Sequence, residues 1–197
     1  MLIFHKIFDD TERRDAVKKR EDRRIMMTKR MLKDALIRML KEKDIYHISV
    51  RELCERADVN RTTFYKYYGS QFDLLNEMEN DLLDFINRAI RHYEADYEKI
   101  MIAAVRYMEE NIDFIRIIVN NNDSNLPRKL FAMDGIRESL LRRVTRFQSE
   151  EEKEYFYSFL TYGAYRMICV WANKEERESP TLLAKMLIEL TKDLISK

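Results

Sequence analysis

Glycine and proline are nearly missing from this sequence, at three and two among 197 residues. A chain with so few turn-formers lacks the tight reversals that an all-β fold needs. Cysteine is equally scarce. Cys54 and Cys169 lie far apart among apolar neighbours, which reads as two buried thiols and not as a disulfide framework. The three histidines, His5, His47 and His92, are scattered. There is no HExxH, no CxxC pair and no glycine-rich phosphate loop. We therefore expect no catalytic residues, no metal site and no cofactor, and expect the chain not to be an enzyme. Long uncharged apolar runs are also lacking: the longest near-apolar stretch, "YFYSFLTYGAYRMICVWA" (155–172), has Arg166 in its middle. That charge argues for a buried helix over a membrane span. The first residues offer only "LIF" before charge begins, which is not a secretory signal. The expectation is a cytoplasmic protein with no membrane partner.

What the chain has in abundance is Leu, Ile, Met, Glu, Lys and Arg, the composition of helices, so the fold class is all-α. The net charge of +1 hides an asymmetry. Residues 1–66 hold 18 Lys/Arg against 12 Asp/Glu, and residues 67–197 hold 18 against 23. A basic front and an acidic remainder suggest that one end meets a polyanion. Within that front, "DDTERRDAVKKREDRR" (9–24) has no apolar stripe and reads as an extended or loosely helical basic arm, placed at residues 1–24.

From Thr28 the apolar residues Met31, Leu32, Ala35, Leu36, Met39 and Leu40 recur at helical spacing. Ser49 and Glu52 form the sequence of a capping box opening "VRELCERA", whose apolar face is Val50, Leu53, Cys54 and Ala57. "DVN" interrupts it, and Asn60 can cap a helix "RTTFYKYY". Ser70 can cap a long connector to about His92. Further helices are expected over about 95–109, 112–120, 127–146 (opened by Pro127), 150–173 (capped by Ser149 and Glu152) and 180–195.

Two short helices separated by a three-residue turn make a helix-turn-helix, about residues 48–68. N-terminal residues of the second helix are those that reach base edges in a major groove. Arg61 can fork to guanine, while Thr62 and Thr63 offer hydroxyl and methyl groups. Tyr65 and Tyr67 can aim phenol hydroxyls at phosphates. Phe64 and Tyr68 face a small core. Helix pairs with short turns also occur in ordinary bundles, so spacing alone leaves the plain packing role open.

"SVRELCERADVNRTTFYKYYGSQFDLL" (49–75) resembles the signature of the TetR family of bacterial transcriptional regulators. The combination "TTFYKYY" with S-x-x-x-LL carries the likeness, which covers about 28–90. The sequence departs from the family pattern at two positions. Asp58 stands where a Gly is usual, and Gln71 where a phosphate-contacting Lys is usual. The resemblance implies a three-helix DNA-binding head at 25–90 and a larger helical body at 91–197, about nine helices in all. It further implies a homodimer on a palindromic double-stranded DNA operator, acting as a repressor that a small-molecule effector in the body releases. By the same carry-over, Arg61, Thr62 and Thr63 read bases, Tyr65 and Tyr67 hold phosphates, and Arg51 touches backbone or a base. The dimer would be built from helix 150–173 and the last helix, with Gly163 and Ala164 permitting close approach. Candidate pocket residues are Tyr107, Phe114, Tyr155, Phe159, Tyr162, Arg166, Met167 and Trp171, although for each alone packing in a core or an interface is the plainer reading, and for Arg166 an interface salt bridge. The alternative is a TetR-like regulator or co-activator whose body binds a protein partner.

Overall fold

The computed structural model describes residues 22–94, 96–121, 124, 126–142, 144–145, 147 and 149–196. Among them there is no strand, and ten α-helices follow one another. Helix α1 covers residues 22–40, and a 3-10 turn follows at Ile45–His47. Then come α2 (Val50–Ala57), α3 (Arg61–Tyr65), α4 (Gln71–His92), α5 (Tyr97–Glu110) and α6 (Ile112–Asn120). The last four are α7 (Leu126–Phe131), α8 (Asp134–Leu141), α9 (Glu150–Asn173) and α10 (Pro180–Ser196). No helix among the described residues is long and apolar enough to cross a membrane. The basic arm lies outside the described residues up to position 21, while 22–24 already belong to α1. That helix therefore begins ahead of Thr28. Arg23, Arg24, Met26 and Met27 are good helix formers and Asp22 suits the free N–H groups of a first turn, so this extension stays helical when a packed segment follows.

Two compact units divide the chain between Glu77 and Met78, inside α4. The first is built on Leu32, Ala35, Leu36 and Met39 of α1, all fully buried, closed by Leu53, Phe64 and Leu74. In the second, α5 packs chiefly on α10 and α6 on α9. Tyr97, Leu140, Phe156, Tyr157, Leu160 and Ile188 form one core cluster. The hydroxyls of Tyr97 and Thr191 meet at 2.9 Å inside it.

Helix α9 is long because both ends are satisfied. Ser149 and Glu152 make a reciprocal capping box. At the other end Arg116 of α6 donates to the carbonyls of Ala172 (2.7 Å) and Lys174 (2.9 Å). The single helix expected over 127–146 is instead two, α7 and α8, broken at Ala132 and Met133. Gly135 is a weak helix former, and a Cβ there would stand 3.1 Å from Ile90 Cδ1. The break brings this bare backbone against Ile90 and sets Asp134 in a first turn, where its charge meets free N–H groups.

Candidate nucleic-acid interface

The helix-turn-helix is held by local chemistry. Ser49 Oγ accepts from the Glu52 amide at 3.2 Å, opening α2, and Glu52 itself is drawn to Lys43 Nζ at 2.6 Å. Arg56 forks onto Glu42 through two bonds of 2.7 and 2.8 Å, tying α2 to the end of the α1 segment. Asp58 ends α2 in the left-handed region, at φ 52 and ψ 43. Asp tolerates that conformation better than most non-glycine residues, which is why the usual Gly is dispensable here. The Val59 amide bonds back to the Cys54 carbonyl at 3.0 Å, and Asn60 Oδ1 accepts from the Thr62 amide at 2.8 Å. Burial raises the pKa of the Cys54 thiol, against the opposing charge of Arg61, so this cysteine is a packing residue.

Helix α3 is shorter than "RTTFYKYY" suggests. It ends at Tyr65, and Tyr67 and Tyr68 close onto the Phe64 carbonyl at 2.9 and 3.0 Å. The reason lies just downstream. Asp73 accepts from the amides of Gly69 (2.9 Å) and Ser70 (3.0 Å), committing that backbone to capping α4.

The six residues read as DNA-contacting occupy different settings. Arg61, Thr62 and Tyr65 stand exposed on α3, and Thr63 is half-buried. Arg61 has no ion pair among the described residues. Arg51 is exposed on α2 and paired to Glu55 at 2.8 Å, one turn on, and this hydrogen bond raises its already high pKa. Tyr67 is half-buried, with the ammonium groups of Lys29 and Lys66 at 5.8 and 5.7 Å from its ring centre. Phe64 is fully buried beneath them, its ring 5.6 Å from Tyr65 and 5.4 Å from Tyr68.

Behind α3 lies a charged hub that periodicity does not announce. Glu77 accepts from Lys29 (2.8 Å), Lys33 (2.8 Å) and the buried Tyr68 hydroxyl (3.1 Å). Burial alone would raise its carboxyl pKa, but hydrogen bonds and charges from the two lysines hold it below the ordinary value. Tyr46 and Phe72 were also outside the sequence-level site. They stand exposed, rings 5.3 Å apart, beside the openings of α2 and α4. Neither falls on an apolar stripe, so only their exposure marks them.

The eight pocket candidates do not gather around one cavity. Phe114 and Trp171 are buried, while Tyr155, Phe159 and Tyr162 stand in solvent, at 78, 68 and 61% exposure. Tyr107 stacks on Phe85 at 4.2 Å beside a groove of about 300 Å³ that also holds Lys99 and Arg106. Arg166, Met167 and Trp171 line a separate groove of about 400 Å³ between α9 and α10. Leu182, Met186 and Leu190 of α10 are exposed as well.

Two family models match the chain. Residues 32–78 fit "Bacterial regulatory proteins, tetR family", and residues 95–193 fit "Transcriptional regulator C-terminal region". The chain is 21% identical over 168 residues to an uncharacterized HTH-type transcriptional regulator, YxbF of Bacillus subtilis, covering 81% of this chain and 43% of that protein. It thus spans less than half the length of that relative. It is 27% identical over 138 residues to DhaS of Lactococcus lactis, described as the HTH-type dhaKLM operon transcriptional activator, covering 68% of this chain and 69% of that one. A TetR transcriptional regulator from Streptococcus agalactiae has the same fold, with a TM-score of 0.64 at 22% identity over 88% of this chain and 98% of that one. So has FadR of Thermus thermophilus, a TetR-family repressor solved with lauroyl-CoA, with a TM-score of 0.54 at 17% identity over 83% and 92%. With a helix-turn-helix whose second helix keeps its outer face free, and family models matching head and body, this all-α chain belongs to the TetR family of DNA-binding transcriptional regulators.

Proposed function

We propose that the chain is a repressor that binds a palindromic operator as a homodimer and is released when a small molecule occupies its body. The head spans residues 25–90 and the body 91–197. One observation carries the proposal: Arg61 and Thr62 stand exposed in the first turn of a helix anchored from behind by fully buried Phe64. A guanidinium with no ion pair among the described residues, fixed at a helix start, can fork onto a guanine edge. Thr63 adds a base contact, Tyr65 and Tyr67 hold phosphates, and Arg51 exchanges Glu55 for the backbone or a base. Because the Arg51–Glu55 pair is exposed and screened by solvent, little opposes that exchange.

The homodimer is supported by the exposed apolar side chains of α9 and α10, which together form the kind of patch that soluble monomers rarely leave uncovered. FadR, with lauroyl-CoA bound, supports an effector in the body. The test is selection of bound DNA from a random pool, followed by footprinting. Two inverted half-sites about one helical turn apart, or a close multiple, are expected; a single unrepeated site would sink the dimeric operator reading. A second reading, activation through a protein partner bound by the body, draws on DhaS, an activator by description. It predicts that deleting the gene lowers reporter expression, where repression predicts a rise.

A further inference from the structure

Helix α5 sorts its charges by face. Its acids Glu98 and Glu109 stand 2.7 Å from Lys192 of α10 and 3.5 Å from Arg177, just ahead of that helix. Its two cations, Lys99 and Arg106, instead border the groove of about 300 Å³ where Tyr107 stacks on Phe85 of α4. The floor of this groove is apolar: Phe85, Tyr93, Ile102, Ala103 and Tyr107 are each half-buried and partly open to solvent. Arg106 is exposed and has no ion pair among the described residues. Lys99 pairs with Asp96 at 3.3 Å, a contact open to solvent and readily exchanged.

We infer that this groove binds a small planar aromatic carboxylate, its ring laid against Phe85 and Tyr107 and its carboxylate held over Ala103 by Arg106 and Lys99. The site lies on the surface of one chain. The inference therefore goes beyond the regulatory reading, since it needs neither a dimer nor an operator.

Spacing along α5 sets the seat for the anion. Lys99, Ala103 and Arg106 lie at i, i+4 and i+7, on one side of the helix. The two cations are about 10 Å apart along the axis, and their long stems reach toward each other over the small side chain between them. A guanidinium fork matches the two oxygens of a carboxylate, which selects that anion over a single-atom one. The exposed margin of the Phe85–Tyr107 pair offers a third ring an offset-stacked place. Glu110, one turn beyond Arg106, lines the far end without an ion pair among the described residues. Its charge repels an anion there and so fixes which end the carboxylate takes. The groove is at the lower end of the size range for ligand pockets, which suits one or two fused rings.

The experiment is calorimetric titration of the full chain with naphthoate, with naphthamide as a neutral ring of the same shape and acetate as an anion without a ring. Naphthoate should fill one saturable site per chain, about tenfold or more tighter than the amide, and acetate should show no saturable binding. Arg106→Gln should bring naphthoate down to the affinity of the amide and leave the amide unchanged. Ala103→Leu should weaken both, because the added side chain fills the seat. Circular dichroism of Arg106→Gln should match the parent, since the exposed guanidinium has no ion pair to lose. Equal affinity for naphthoate and amide in the parent would take the charge out of the site. Unchanged naphthoate binding in Arg106→Gln would place the anion elsewhere on the chain. Either result overturns the inference, as does a parent that shows no saturable naphthoate binding up to about 1 mM.

Discussion

Changing Glu77 to glutamine keeps the shape of the side chain and one hydrogen-bond acceptor for Tyr68, but removes the charge that two lysines of α1 share. The lysine contacts are both 2.8 Å, and the Glu77 side chain is 29% exposed. A charge-assisted hydrogen bond contributes about 1.5–3 kcal/mol when shielded and an exposed ion pair about 0.2–1 kcal/mol. An intermediate setting with two ammonium groups gives roughly 2 kcal/mol for the charge as a whole. The effect has a definite pH dependence. The folded pKa of Glu77 lies below its unfolded value, so its contribution is complete above about pH 4–5 and disappears as pH falls through the lowered folded pKa. Native-state hydrogen exchange in the full chain reads this locally, at the buried amides of Leu36, Leu53 and Phe64. Protection there should fall by roughly thirtyfold in Glu77→Gln at pH 7, the equivalent of about 2 kcal/mol, with less loss in strong salt. The gap between the two proteins should close in acid. Equal protection at pH 7, or a gap that persists unchanged below the folded pKa, would refute the hub.

Three further perturbations follow from named contacts. Arg61→Ala should relax base preference at one position per half-site, at about 1–3 kcal/mol, whereas Tyr65→Phe should weaken all sequences alike; an unchanged consensus from random-pool selection would refute the role of Arg61. Asp58→Gly should stabilise the head slightly or leave it unchanged, and Asp58→Val should cost about 1–2 kcal/mol, because a β-branched residue is strained at φ 52; equal urea midpoints for the two variants would count against it. In the second compact unit, Glu79 is 5% exposed and accepts from Lys129 at 2.9 Å and Ser124 at 3.0 Å. Lys129→Met should therefore destabilise the body by about 3 kcal/mol in thermal unfolding, and adding Glu79→Gln should recover much of the loss; no recovery in the double variant would mean that the charge is not what is left unsatisfied.

Helix starts and the helix-turn-helix were legible in the sequence because each depends on residues within four positions of one another. Ser49, Asn60, Ser70, Ser149 and Ser179 all accept from amides two or three residues on. The α1 stripe was legible because its apolar residues occupy one face only, so periodicity names the buried side. Where that condition fails, the sequence stays silent. Helix α9 is apolar nearly all round, so its pattern could not tell buried Phe156, Leu160 and Trp171 from exposed Tyr155, Phe159 and Tyr162. That choice belongs to the packing of α6 and α10 on one side, which leaves the other open. The same holds for the break before Asp134, set by Ile90 against Gly135 more than forty positions away in the chain. Glu77 and Glu79 looked like ordinary surface charges of α4, since their lysine partners come from α1 and α7. Local hydrogen bonding and one-sided periodicity are written along the chain, whereas the partner of a buried charge and the inner face of a uniformly apolar helix are decided only when distant segments meet.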